Sequence, residues 1–211
     1  CYGKTSDGRY IVASESCALD SVGAEFVRDV LPGEIVVFED GGVRSIKTHC
    51  NRVPCSMCVF EYIYFARPDS VIDGCSVHAA RMRAGTFLAL EYPVQADVVI
   101  GVPDSGIDAA IGYSKQSGIP YELGFIKNKY IGRTFIAPGQ QSREDKVRIK
   151  LNTIADTVRG RRVVMIDDSI VRGTTMCEIV KLAREAGARK VFVASTAPRV
   201  MFPNVYGIDM T

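Results

Sequence analysis

Val163-Val164-Met165-Ile166-Asp167-Asp168-Ser169-Ile170-Val171-Arg172-Gly173-Thr174-Thr175 is the stretch on which the reading of this chain turns. Its four leading residues are apolar and mostly β-branched, the pattern of a strand buried on both faces of a parallel sheet. Two adjacent carboxylates follow where that strand ends. A short run containing Ser, Gly and two Thr then leads into residues 176–186, whose pattern predicts a helix stopped by Gly187. Strand, loop and helix N-terminus together make a cradle for a phosphate: backbone N–H groups converge, the helix dipole favours an anion, and Thr hydroxyls add donors. The acidic pair lies where sugar hydroxyls or a hydrated metal would sit beside that phosphate. A ligand carrying both a phosphate and a ribose fits such a place.

Neither of the two commonest phosphate motifs occurs, since the chain has no Gly-x-x-x-x-Gly-Lys-Ser/Thr and no Gly-x-Gly-x-x-Gly. The plain alternative is that Asp167 and Asp168 cap the next helix or face solvent. Side-by-side carboxylates repel unless a cation joins them, which favours the ligand reading.

Strands and helices alternate around this stretch. Residues 98–102 read as a buried strand, 107–117 as a helix ending at Gly118, 121–126 as a strand, 147–153 as a short helix, and 191–195 as the closing strand. That rhythm predicts an α/β fold: a parallel-rich sheet with helices on both faces and ligands outside the strands' carboxyl ends. Before it, residues 1–48 are β-rich, with strand-like runs at 10–14 and 35–38, a tight hairpin turn at 39–43 and a helical turn at 18–23. Residues 49–58 read as a linker, 61–65 as a strand, and 77–90 as a helix.

Length and composition agree with one α/β domain plus an additional piece: 211 residues, 47% hydrophobic and 24% charged. A net charge of +2 gives no electrostatic case for nucleic acid or an anionic membrane. No apolar run approaches the about 18 residues a membrane helix needs. Seven cysteines, odd in number and irregular in spacing, point to free thiols and a reducing, cytoplasmic location. The Cys55-x-x-Cys58 spacing lacks the second pair a structural zinc would need, and His78 reads as a packing or surface residue. Cys1 in place of an initiator Met, and an end at Thr211 just after an apparent strand, read as a stretch of a longer protein.

Two further loops carry chemistry. Pro103-Asp104-Ser105-Gly106 follows a strand at its carboxyl end, and Ser105 offers a hydroxyl toward an anion or metal; a helix N-cap by Asp104 or Ser105 is the plain alternative. Lys127-Asn128-Lys129-Tyr130-Ile131-Gly132-Arg133 opens a long polar segment that reads as a lid closing on phosphates, with Lys127, Tyr130 and Arg133 as its candidates.

The signature at 167–175 resembles the phosphoribosyl-diphosphate (PRPP) signature of type I phosphoribosyltransferases. With residues 58–70, 101–105, the 127–141 loop and 203–209, the chain resembles the glutamine phosphoribosylpyrophosphate amidotransferase family throughout its length, in order. The resemblance implies a type I phosphoribosyltransferase domain at 49–211, C-terminally incomplete, with a small hood at 58–75. It also implies that residues 1–48, with Ser14-Glu15-Ser16-Cys17-Ala18-Leu19, are the C-terminal part of an N-terminal nucleophile glutaminase domain. The implied activity is the first committed step of purine synthesis, in which ammonia freed from glutamine attacks PRPP and yields 5-phosphoribosylamine. Cys1 does not sit in the family's nucleophile context, so no glutaminase activity is expected of this stretch.

Residue by residue, the resemblance assigns Asp167 and Asp168 to the ribose hydroxyls, directly or through Mg²⁺, and places Ser105 near the diphosphate and Mg²⁺. It assigns Ser169, Ile170, Val171, Arg172, Gly173, Thr174 and Thr175 to the 5-phosphate. Some family members hold an iron–sulfur cluster; Cys58 occupies one ligand position, Asn204 stands at another, and two would lie beyond Thr211, so a four-cysteine cluster is not expected. A homotetramer inhibited by purine nucleotides is implied as well. The alternative is a catalytically silent PRPP- or nucleotide-sensing regulator of the same fold, which would be expected to carry a DNA-binding module. A nucleobase phosphoribosyltransferase would lack the glutaminase-like tail.

Overall fold

The computed structural model describes residues 1–128, 151–171, 173–199 and 201. The chain divides into two compact units, Cys1–Ala80 and Arg81–Thr211. In the first, β1 (Tyr2–Lys4) lies between β2 (Tyr10–Val12) and β3 (Glu25–Arg28), antiparallel to both, and α1 (Ser16–Ser21) links β2 to β3 while burying Cys17 and Leu19. The hairpin expected at 39–43 joins β4 (Ile35–Glu39) to β5 (Gly42–Ile46). An edge-on contact of Tyr2 with Phe38, at 5.3 Å between ring centres, packs hairpin against sheet. Glu34 accepts from the two terminal Arg28 guanidinium nitrogens, the Leu31 N–H and the Ser45 hydroxyl, and these donors hold its carboxyl well below the usual range.

Residues 61–65, read as a strand, instead form a π-helical turn (Glu61–Phe65) closed by the Ala66 N–H on Glu61 O at 3.0 Å. Aromatic and β-branched residues favour strands only where a pleated surface receives them. Here a single residue, Ile63, is buried, which one helical turn provides and an alternating strand does not. The two-residue strands β6 (Val71–Ile72) and β7 (Cys75–Ser76) follow, then α2 (Val77–Glu91), close to its expected bounds.

In the second unit the order is β8 (Val98–Gly101), α3 (Gly106–Ser117), β9 (Phe125–Lys127), β10 (Leu151–Thr153), α4 (Ala155–Val158), β11 (Arg162–Asp167), α5 (Thr174–Glu185) and β12 (Lys190–Ser195). The signature strand β11 is central, parallel to β12 on one side and to β8 on the other. Its residues alternate between two cores. Val163 and Met165 meet Ile100, Phe125 and α5 through Met176, Ile179 and Ala183. Val164 and Ile166 meet Val99, α2 through Ala89 and α3 through Ala109, Ala110 and Tyr113. Helices therefore cover both faces, which is why the strand has no polar alternate residue. This is the parallel-sheet, two-faced architecture expected of a type I phosphoribosyltransferase fold. Among the described residues no helix is long and apolar enough to cross a membrane.

Two expectations here need correction. Of residues 121–126, Tyr121 makes only a single parallel bridge to Val99, and the strand begins at Phe125. Gly124 intervenes, pressed so closely on Ile100 that a Cβ would lie 2.7 Å from that side chain. The short helix expected at 147–153 is, over Leu151–Thr153, strand β10 pairing antiparallel with β9; the helical turn comes later, as α4. Residues 147–150 lie outside the described residues.

Two glycines let α2 and α3 touch backbone to backbone. A Cβ on Gly85 would lie 1.9 Å from Ala109 O, and one on Gly112 would lie 1.9 Å from Met82 O. Main-chain atoms cannot swing aside as a side chain can. Gly112→Ala is therefore expected to force the helices apart and destabilise the chain by about 1–3 kcal/mol, the usual cost of overpacking. Urea unfolding measures it, and an unshifted midpoint would contradict the close approach.

Candidate active site

Strands β8 and β11 run parallel and end level, Gly101 opposite Ile166, so the loops that follow leave the sheet from one edge. The Val102 N–H extends the pairing by donating to Ile166 O at 2.9 Å. The chain then turns through a cis Pro103–Asp104 peptide into α3. A Cβ on Gly106 would stand 2.5 Å from Ile166 O, so only glycine lets the first turn of α3 rest on the end of β11.

That approach brings Ser105 to Asp168. Ser105 holds the N-cap position of α3 but makes no cap bond with its side chain; its hydroxyl donates across to Asp168 Oδ2. The other Asp168 oxygen accepts from the Ser169 hydroxyl at 2.5 Å, and the side chain is buried. Asp167 Oδ1 accepts the Asp168 N–H at 2.9 Å. Burial, and then the neighbouring charge of Asp168, push the Asp167 carboxyl up from its ordinary 3.8 to about 7.

A third loop, which sequence reading passed over, holds the pair's backbone. The N–H of Thr196 donates to Asp167 O at 3.1 Å and that of Ala197 to Asp168 O at 2.8 Å. The hydroxyls of Ser195 and Thr196 reach Asp168 O at 3.2 Å each. The available signal was a Ser-Thr pair, Ser195-Thr196, at the end of the strand expected at 191–195. Asp104, read as a possible cap, instead pairs with Lys127 Nζ at 2.5 Å, which ties the lid candidate Lys127 to the 103–106 loop.

Beyond Ser169 the loop is open. Ile170 and Val171 are exposed, Gly173 takes a left-handed φ of 71° as the N-cap of α5, and Thr174 and Thr175 begin that helix with exposed side chains. The structure thus gathers Ser105, Asp167, Asp168 and Ser169, with Lys127 joined through Asp104. Among the described residues no hydrogen bond links Ile170, Val171, Thr174 or Thr175 to the acidic pair. Tyr130, Arg133, Arg172 and Asn204 lie outside the described residues. Among those described, no three His, Cys, Asp or Glu side chains converge as a ready metal site, and Cys58 is a half-buried free thiol.

The phosphoribosyl transferase domain family matches residues 77–199, more than half of the chain, and the chain belongs to that family. Within it, relatives that match along nearly the whole chain include amidophosphoribosyltransferases. The chain is 53% identical over 210 residues to the amidophosphoribosyltransferase of Archaeoglobus fulgidus, covering 100% of this chain and 46% of that protein. It is 56% identical over 200 residues to that of Bacillus subtilis, covering 95% and 42%. Among solved structures, glutamine phosphoribosylpyrophosphate amidotransferase from B. subtilis, complexed with ADP and GMP, superposes with a TM-score of 0.86 at 54% identity, over 100% of this chain and 46% of that one. The structure described as the allosteric regulatory enzyme of purine biosynthesis matches equally well, with a TM-score of 0.86. The chain spans less than half the length of these relatives. The reading as a silent regulator gains no support from them.

The raised Asp167 carboxyl has a consequence for stability. Between the unfolded carboxylate value of about 3.9 and the folded value of about 7 the native chain binds more protons than the unfolded one. This group's contribution to stability is therefore complete below the lower value and is lost as pH rises through 7. Without divalent cations, raising pH from 5 to 8 should cost about 2–3 kcal/mol from this residue, and Asp167→Asn should remove that share of the fall. Urea unfolding at both pH values tests it; the same pH dependence in wild type and variant would contradict the assignment.

Proposed function

We propose that these residues form the PRPP site of an amidophosphoribosyltransferase, transferring ammonia to the ribose C1 and releasing diphosphate. The observation that carries the reading is the Ser105–Asp168 hydrogen bond, which joins two strand-end loops beside the N-terminus of α5. Asp167 and Asp168 would hold the ribose hydroxyls. Ser169, the residues after it and the N–H groups that open α5 at Gly173–Thr175 would receive the 5-phosphate, with Arg172 completing that loop.

The carboxylate pair suits a cation. Its mutual repulsion is what a bound Mg²⁺ relieves, and Ser105 adds a neutral oxygen. When bound, Mg²⁺ would neutralise charge on the diphosphate oxygens. Lys127 would approach the departing diphosphate, with Tyr130 and Arg133 of the same segment. The ammonia nitrogen forms the new bond to C1, the C1–O bond to diphosphate breaks with its electrons leaving on oxygen, and the nitrogen sheds a proton. Positioning and charge neutralisation supply most of the catalysis.

The same reading assigns residues 1–48 to the end of a glutaminase domain that would supply the ammonia, and 49–211 to the phosphoribosyltransferase domain. Purine nucleotides as feedback inhibitors, a homotetramer and a cytoplasmic setting complete the proposal; the relative crystallised with ADP and GMP supports the nucleotides. An iron–sulfur cluster has no part in it.

Titration calorimetry with PRPP and Mg²⁺ tests the site. Replacing both Asp167 and Asp168 by Asn should weaken PRPP binding at least about tenfold, equivalent to about 1.4 kcal/mol, with the circular dichroism spectrum unchanged. Unaltered affinity would sink the assignment.

A further inference from the structure

One face of α2 is seated: Gly85 meets α3 and Ala89 joins the core beneath the sheet. The opposite face is exposed and carries Arg83, Phe87, Leu90 and Glu91. Their spacing places all four on one stripe of the helix surface. Phe87 is 62% exposed and Leu90 58%, so two large apolar side chains stand in water at its middle. A surface helix ordinarily turns its apolar residues inward and its polar ones outward, yet α2 shows almost no such sorting between its faces. Among the described residues neither Arg83 nor Glu91 forms an ion pair.

The stripe is complementary to itself. When α2 is laid antiparallel on a copy of itself about a two-fold axis at Phe87, the two phenyl rings meet on the axis. Arg83 and Glu91, equally spaced before and after Phe87, then face one another, once on each side of the axis. Leu90 faces Ala84 in the same way, a large side chain against a small, half-buried one. A parallel pairing would instead set Arg83 on Arg83 and Glu91 on Glu91, so charge selects the antiparallel one.

We infer that this face of α2 docks a second copy of the chain, as an antiparallel helix pair centred on Phe87. One helix face is smaller than the roughly 800 Å² per partner of a standard interface, so the pairing is weak alone and serves as one contact of a larger symmetric assembly. The inference does not rest on the enzymatic reading. A chain that binds PRPP as a monomer overturns the pairing alone, and a dimer that ignores PRPP leaves it standing.

Sedimentation equilibrium of the full chain between about 5 and 500 µM tests it. The wild type is expected to pass from monomer towards dimer across that range, and Phe87→Asp should abolish the shift. Arg83→Glu and Glu91→Arg each set like charges against one another on both sides of the axis, and each should weaken dimerisation at least about tenfold. The double variant carrying both changes restores opposite charges and should recover wild-type dimerisation. All three side chains are exposed, so circular dichroism should be unchanged; if Phe87→Asp does not fold, the charge exchange decides. A wild-type chain that stays monomeric throughout, an oligomer that survives Phe87→Asp, or single variants that the double variant does not rescue would overturn the inference.

Discussion

The candidate site depends on how closely α3 approaches the end of β11. Gly106 has no side chain to hold the helix off Ile166 O, and a Cβ there would stand 2.5 Å from it. That contact lets Ser105 reach Asp168 and makes one site of two loops separated by 63 residues in the chain. The rest of the second unit maintains the approach. Parallel pairing levels the strand ends, the apolar alternation of β11 seats helices on both faces, and α2 backs α3 through glycine contacts.

The two ends of β11 use the same residue type in opposite ways. At its start, Asp97 accepts the Arg162 N–H and a forked contact from the Arg162 guanidinium, and these bonds lower its carboxyl to about 2. At the other end, Asp167 is pushed up to about 7 with no cation beside it among the described residues. The first carboxylate is satisfied and links the starts of β8 and β11. The second holds a proton for want of any partner to its charge, the condition in which a ligand's cation or hydroxyls find a place.

Much of this was legible because the signals were local. The 163–166 run, the stops at Gly118 and Gly187, and the Asp40–Gly41 turn all act through nearest neighbours, and the elements they imply are present. The meeting of Asp167, Asp168 and Ser105 was legible because all three lie at or shortly after the carboxyl ends of two strands of one parallel sheet. Residues 61–65 misled because their β-branched and aromatic side chains found no pleated surface to pack on. The loop at 195–197 and the Asp104–Lys127 pair were not legible, since hydrogen bonds between distant loops leave no period in the sequence. Glu15 shows the same limit: nothing at positions 14–16 announces that its carboxylate accepts from Arg67 and Ser70.

The most direct test of the central claim is a crystal structure of the chain with Mg²⁺ and a non-reactive PRPP analogue. The account predicts the 5-phosphate on the backbone N–H groups of residues 173–175, the ribose hydroxyls facing Asp167 and Asp168, and the diphosphate beside Ser105. A phosphoribosyl group bound away from the carboxyl ends of β8 and β11, with the Ser105–Asp168 contact left unvisited, would contradict it.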